Sequence, residues 1–124
     1  MYGALSITYG MTLGLPLSRI RMTQPTGPHH LLVAHLAALM QGPVHLGLSI
    51  AVGLSTLTPA IETAAAVLLV SGSTLFVAGA TANWLQGVGD HFAERSIGWR
   101  LFAASGPANV IGAATVLVGV LRGL

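Results

Sequence analysis

Four runs dominated by Leu, Ala, Gly and Val fill almost the whole chain, separated by short polar stretches. Each is about 17–25 residues long, and a helix needs about 20 apolar residues to cross the hydrocarbon core of a bilayer. Charged residues make up only 6% of the 124 residues, against 53% hydrophobic ones. A water-soluble domain carries about a quarter charged residues, so these few cannot coat a surface facing water, and lipid must cover it instead. The runs lack the alternating polarity of barrel strands, which leaves helices as the spanning element. The expected architecture is all-α: a single four-helix transmembrane bundle over residues 1–124, with spans at about 2–17, 31–54, 60–88 and 101–121.

Five Arg face three acids, with no basic block that would suit nucleic acid. With no cysteine, neither disulfides nor thiolate metal sites are available. The first run has no basic stretch before it and no small-x-small cleavage site, so it reads as helix one rather than a signal peptide. Arg19, Arg21, Arg95 and Arg100 fall in the first and third loops, whereas the other side carries only Arg122. The positive-inside rule then places those loops in the cytoplasm and both termini outside, in a multi-pass inner-membrane protein.

Polar side chains at membrane depth are costly and mark a bundle interior, a ligand or a pathway. The second run carries three of them, His35, Gln41 and His45, with Gly42 and Pro43 between. His35 and Gly42 are seven residues apart and share a stripe, so Gly42 can admit a flat ligand or another helix. His35 and His45 lie about 15 Å apart along one helix. They cannot sandwich one iron, whose opposite ligands stand about 4 Å apart.

In the first run, Gly3, Gly10 and Gly14 fall on one stripe and read as a close-packing face. Tyr2 suits the membrane interface, Tyr9 lies deep enough to face a pocket, and Pro16 is expected to end or kink the helix. The paired His29 and His30 read as a solvated loop end, because neighbouring helical residues point about 100° apart. In the third run Gly72, Gly79, Asn83 and Gly87 share a broad stripe, with Trp84 in the aromatic belt. Asn83 either bonds another helix or faces a pocket. Thr58, Pro59 and Glu62 are helix-start chemistry. Asp90, His91 and Glu94 resemble a hard-metal set, but exposed charges in an interfacial loop are the default. The fourth run sets Ala104, Ala108 and Gly112 at small-x-x-x-small spacing, an expected packing face.

Taken together, several motifs resemble the hydroxylaminobenzene mutase family and its relative, styrene oxide isomerase. They are the Gly3/Gly10/Gly14 stripe, Ala34-His35 followed by Gln41-Gly42 (with Gln where the family has Asn), and Ala82-Asn83-Trp84. The resemblance covers nearly the whole chain. It implies a four-helix membrane isomerase, assembled as a homo-oligomer (a trimer in the epoxide isomerase), with haem b between subunits. His35 would be the axial iron ligand, Gly42 would lie at the cofactor, and Gln41 and Asn83 would orient a small aromatic substrate. The implied reaction is intramolecular rearrangement of a hydroxylaminoarene to an aminophenol, with ferric iron as Lewis acid. An epoxide-to-aldehyde isomerase is the alternative on the same scaffold. A small four-helix transporter is the competing class, but a transporter usually buries a carboxylate in the membrane, and Glu62 and Asp90 both sit outside the runs or at a helix start.

Overall fold

The computed structural model describes residues 1–124 and is entirely helical, with no strands. Four long helices run alternately up and down: α1 (Tyr2–Thr23), α2 (His29–Gly53), α3 (Pro59–Leu85) and α5 (Ile97–Leu121), with a single turn, α4 (His91–Glu94), between the last two. The three helices α2, α3 and α5 are long and apolar enough to cross a bilayer. The chain is therefore a membrane protein. α1 is more polar, carrying Ser6, Thr8, Thr12, Ser18, Arg19 and Arg21 within its length.

Several boundaries differ from the sequence expectation. Pro16 does not end α1, which continues to Thr23; a proline removes one hydrogen bond, and the turns on either side carry the helix through. Pro43 and Pro107 are likewise accommodated inside α2 and α5. α3 stops at Leu85 rather than near residue 88, because Gly87 adopts φ +64°. There the amides of Gly87 and Val88 return to the carbonyls of Trp84 and Asn83, the pair of hydrogen bonds that closes a helix on a left-handed residue. α5 begins early, at Ile97, where the Ser96 hydroxyl caps the Trp99 amide at 3.0 Å. Thr58 does precede α3, with Pro59 at its first position, although the threonine side chain makes no capping bond.

Small residues set how closely the helices approach. α3 and α5 form the tightest seam. Gly98, Ser105, Gly112 and Gly119 recur every seven residues along α5 and are all buried; the first three face α3, whose Ala65, Gly72 and Gly79 keep the same step, while Gly119 lies against Ser55 and Leu57 of the second loop. A seven-residue repeat keeps one face turned to an antiparallel neighbour. A side chain at Gly112 would stand 3.0 Å from the Ala65 carbonyl oxygen, and one at Gly79 3.0 Å from that of Gly98. The expected packing face is thus turned by one position: Gly112 belongs to it, but Ser105 takes the place expected of Ala104 and Ala108, and Ala104 is exposed. Van der Waals contact at such short range supplies the cohesion that the hydrophobic effect cannot supply inside lipid.

α1 and α2 make the second close pair. A side chain at Gly3 would stand 3.0 Å from the Gly42 carbonyl oxygen, and one at Gly10 3.0 Å from the Leu39 amide nitrogen. Ser6 adds a hydroxyl bond to the Ala38 carbonyl at 2.8 Å. The glycine stripe of α1 is a packing face, as its spacing predicts. Leu13, Leu31, Ala34 and Ala80 then join α1, α2 and α3 in a buried cluster, with Trp84 and Phe102 against it.

Candidate functional site

His35 projects from α2 onto the glycine stripe of α1. Its Nδ1 lies 2.7 Å from the Gly10 carbonyl oxygen. A carbonyl only accepts, so Nδ1 carries the proton and donates, and Nε2 of the neutral ring keeps its electron pair. Gly14 makes room for the ring: a Cβ there would stand 3.1 Å from Cε1. This is the arrangement in which histidine ligates a metal, with one nitrogen tied to a carbonyl and the other presented outward. The ring is half-buried, and it lines none of the cavities beside His45, His30 or Tyr9. A ligand on Nε2 would lie against the α1–α2 pair.

Gly42 is buried, and its bare face is taken by another helix: Ile7 and Gly3 of α1 fill the space a side chain would need. Of the two occupants its stripe allows, this is the helix.

Gln41 turns away from His35. Six residues along a helix advance about 9 Å and leave the two side chains about 120° apart. Its Oε1 accepts from the Ser73 hydroxyl of α3 at 2.9 Å, and Asn109 Oδ1 of α5 lies 3.4 Å from the same hydroxyl. One polar group from each of α2, α3 and α5 thus meets in the bundle interior. Asn83 lies ten residues further along α3 than Ser73, about 15 Å. It is fully buried, its Oδ1 accepts from the Ser96 hydroxyl at 2.7 Å, and Gly98 presses directly on its amide. Asn83 thereby ties the end of α3 to the capped start of α5. The convergence of His35, Gln41 and Asn83 expected from the sequence does not occur within one protomer, because each faces a different neighbouring helix.

His45 repeats the ring state of His35, with Nδ1 2.8 Å from the Gln41 carbonyl and Nε2 buried without a partner. Tyr2 lies against it, ring centroids 4.5 Å apart, in a largely apolar cavity of about 550 Å³. Tyr9 does line a cavity, of about 290 Å³, beside Tyr2 and Thr74, and its hydroxyl pairs with Thr81 of α3 at 2.9 Å. The hydroxyls of Thr74 and Tyr2 pair one heptad earlier at 3.2 Å, so two registered bonds tie α1 to α3.

The third loop folds back over the bundle, which sequence reasoning missed. Asp90 caps the amides of Phe92 and Ala93 at 2.9 and 3.2 Å. Glu94 answers by accepting from Gly89 and Asp90 at 2.9 and 3.1 Å. Both carboxylates are thus engaged by backbone amides, a reciprocal cap of the kind that starts helices. His91 turns the other way, toward His30, with ring centroids 5.5 Å apart. His30 is consequently 6% exposed rather than solvated, and its Nε2 has no partner. No three His, Asp or Glu side chains gather closely enough to hold a metal ion.

Fold and site together define an all-helical membrane protein in which His35 is tied through Nδ1 to the Gly10 carbonyl on a glycine-lined helix pair. No protein-family model, no curated protein and no solved structure matches the chain.

Proposed function

We propose that the chain is a polytopic inner-membrane isomerase that binds haem b through His35 and rearranges a hydroxylaminoarene to an aminophenol. In this reading α1 is the fourth span, its Arg19 and Arg21 at the cytoplasmic end with Arg95 and Arg100. The observation that carries the reading is the Nδ1–H···O bond from His35 to Gly10 at 2.7 Å, with Gly14 leaving room for the ring. A carbonyl on Nδ1 fixes the tautomer and raises the basicity of Nε2. When bound, ferric haem supplies a Lewis acid that draws electron density from the substrate heteroatom without an external reductant.

The chain's own residues hold and enclose. Gly10 and Gly14 orient His35, and the exposed Leu32, Leu36 and Met40 give the surface around it an apolar character. Because Gly72, Gly79 and Gly112 are spent on the internal α3–α5 seam, a second protomer approaches over the α1–α2 face. A homo-oligomer, a trimer with the cofactor between subunits, is what the family resemblance implies. Asn83 and Gln41, engaged by Ser96 and Ser73, serve the scaffold here. Glu62, Asp90 and Glu94 all lie near helix ends or in loops, so no carboxylate is placed to couple transport.

The test offers hydroxylaminobenzene and styrene oxide to the purified protein, with and without dithionite. Aminophenol formation that dithionite suppresses is the expected result. Turnover of the epoxide alone would make the chain an epoxide isomerase, and turnover of neither by haem-loaded protein would refute the reaction.

A further inference from the structure

Where α4 folds back on the bundle, a cavity of about 570 Å³ opens between the start of α2, the middle of α3 and the first turns of α5. That volume is within the range of small-molecule sites, about 300–1,000 Å³. Its walls are aromatic: Phe76 and Phe102 meet at 4.9 Å between ring centroids, His91 lies 5.3 Å from Phe102, and Trp99 completes the lining. His29 stands 5.4 Å from His30 at the rim. His30 is more than nine-tenths buried; its Nε2 has neither a partner nor exposed surface, so the cavity meets the ring at its Nδ1 edge.

No carboxylate, Lys or Arg lines the cavity, since Asp90 and Glu94 are occupied by the backbone amides of their own turn. A charged ligand finds no counter-ion there, and desolvating one would be costly. A flat apolar ring is matched by the aromatic walls through offset or edge-to-face contact. One hydrogen-bonding group on that ring would meet His30 at Nδ1. A hydroxyl fits whichever nitrogen of His30 carries the proton, because it both donates and accepts.

We infer that this cavity is a second binding site, separate from His35, for a neutral arene carrying a ring hydroxyl, that is, a phenol. The site stands on its own residues and needs neither haem nor the rearrangement, although an aminophenol belongs to the class it would take. His30 accepts or donates the single hydrogen bond, and Phe76, Phe102 and Trp99 hold the ring.

The test is fluorine NMR of 4-fluorophenol added to the protein in phosphatidylcholine nanodiscs, against empty nanodiscs. Saturable binding of one 4-fluorophenol per chain is expected, with fluorobenzene about tenfold weaker because it lacks the hydrogen bond. His30→Phe should bring 4-fluorophenol down to the fluorobenzene value. Ala103→Trp, which fills the cavity from an exposed position on α5 and leaves His30 in place, should abolish saturable binding of both. His35→Ala should leave binding unchanged, whatever becomes of the haem. Equal affinity for the two arenes, tighter binding of 4-fluorobenzoate, unaltered binding by Ala103→Trp, or loss of binding in His35→Ala would each overturn the assignment.

Discussion

Enlarging residue 14 presses directly on the ring of His35, and the structure sets how much each step should cost. An alanine Cβ there would stand 3.1 Å from Cε1, about 0.3 Å inside the 3.4 Å where ordinary contact begins. If the ring retreats along its hydrogen bond, the 2.7 Å separation from the Gly10 carbonyl opens to about 3.0 Å, still a sound N–H···O bond. Gly14→Ala should therefore weaken haem binding by less than about tenfold, the lower bound for losing such an orienting partner outright. Leucine cannot be absorbed by tenths of an ångström. Gly14→Leu should swing the ring off Gly10 and cost the full 10–100-fold, roughly, of a lost orienting bond. Both substitutions raise helix propensity, alanine by about 1 kcal/mol over glycine, so a weakened helix does not account for the loss. Gly47→Ala, where nothing lies within 4 Å, is the control and should bind as wild type. The assay is haemin titration of the detergent-purified protein, followed by the Soret band, with far-ultraviolet dichroism checking the fold. A folded Gly14→Leu protein with wild-type affinity would refute the cradle.

Other expectations concern the scaffold. Gly98→Ala drives a methyl group into the Asn83 amide and the Gly79 carbonyl and should destabilise the protein by about 1–3 kcal/mol in a detergent unfolding titration, whereas Gly106→Ala, with open space around it, should not. Ser73→Ala removes the donor to Gln41 and should cost about 0.6–2 kcal/mol, the usual worth of a polar contact between membrane helices. Gln41→Ala should lower stability similarly while turnover per bound haem stays within about threefold; a large fall in kcat at full occupancy would return Gln41 to the substrate.

The parts of the fold legible in the sequence were those set by spacing along one helix. Gly3, Gly10 and Gly14 share a stripe whatever they face, and they do pack against α2. The α5 face was half legible. Gly112 sits on both a four-residue series through Ala104 and a seven-residue series through Ser105, and only the partner helix, with its own seven-residue step at Ala65, Gly72 and Gly79, selects the second. The fold-back of α4 was hidden because it depends on Asp90 and Glu94 capping each other's turn and on Arg95 taking φ +45°. Burial of His30 follows from that loop and not from its own neighbours. At the candidate site, His35 stood out by its chemistry, but the identity of its Nδ1 partner required knowing which backbone carbonyl of α1 lay opposite. Gln41 and Asn83 were visible as polar groups, while the donors to their side-chain oxygens, Ser73 and Ser96, drew no notice in the sequence, and the Asn83 amide nitrogen stays buried without a partner.

The claim that His35 is an iron ligand is tested most directly by the visible absorption spectrum of protein purified from cells supplied with haem. The account predicts a Soret band in the wild type, its loss or strong weakening in His35→Ala, and its presence in His45→Ala and His30→Ala. A folded wild-type protein without the band, or a band that survives in His35→Ala and disappears in either of the other two, would contradict it.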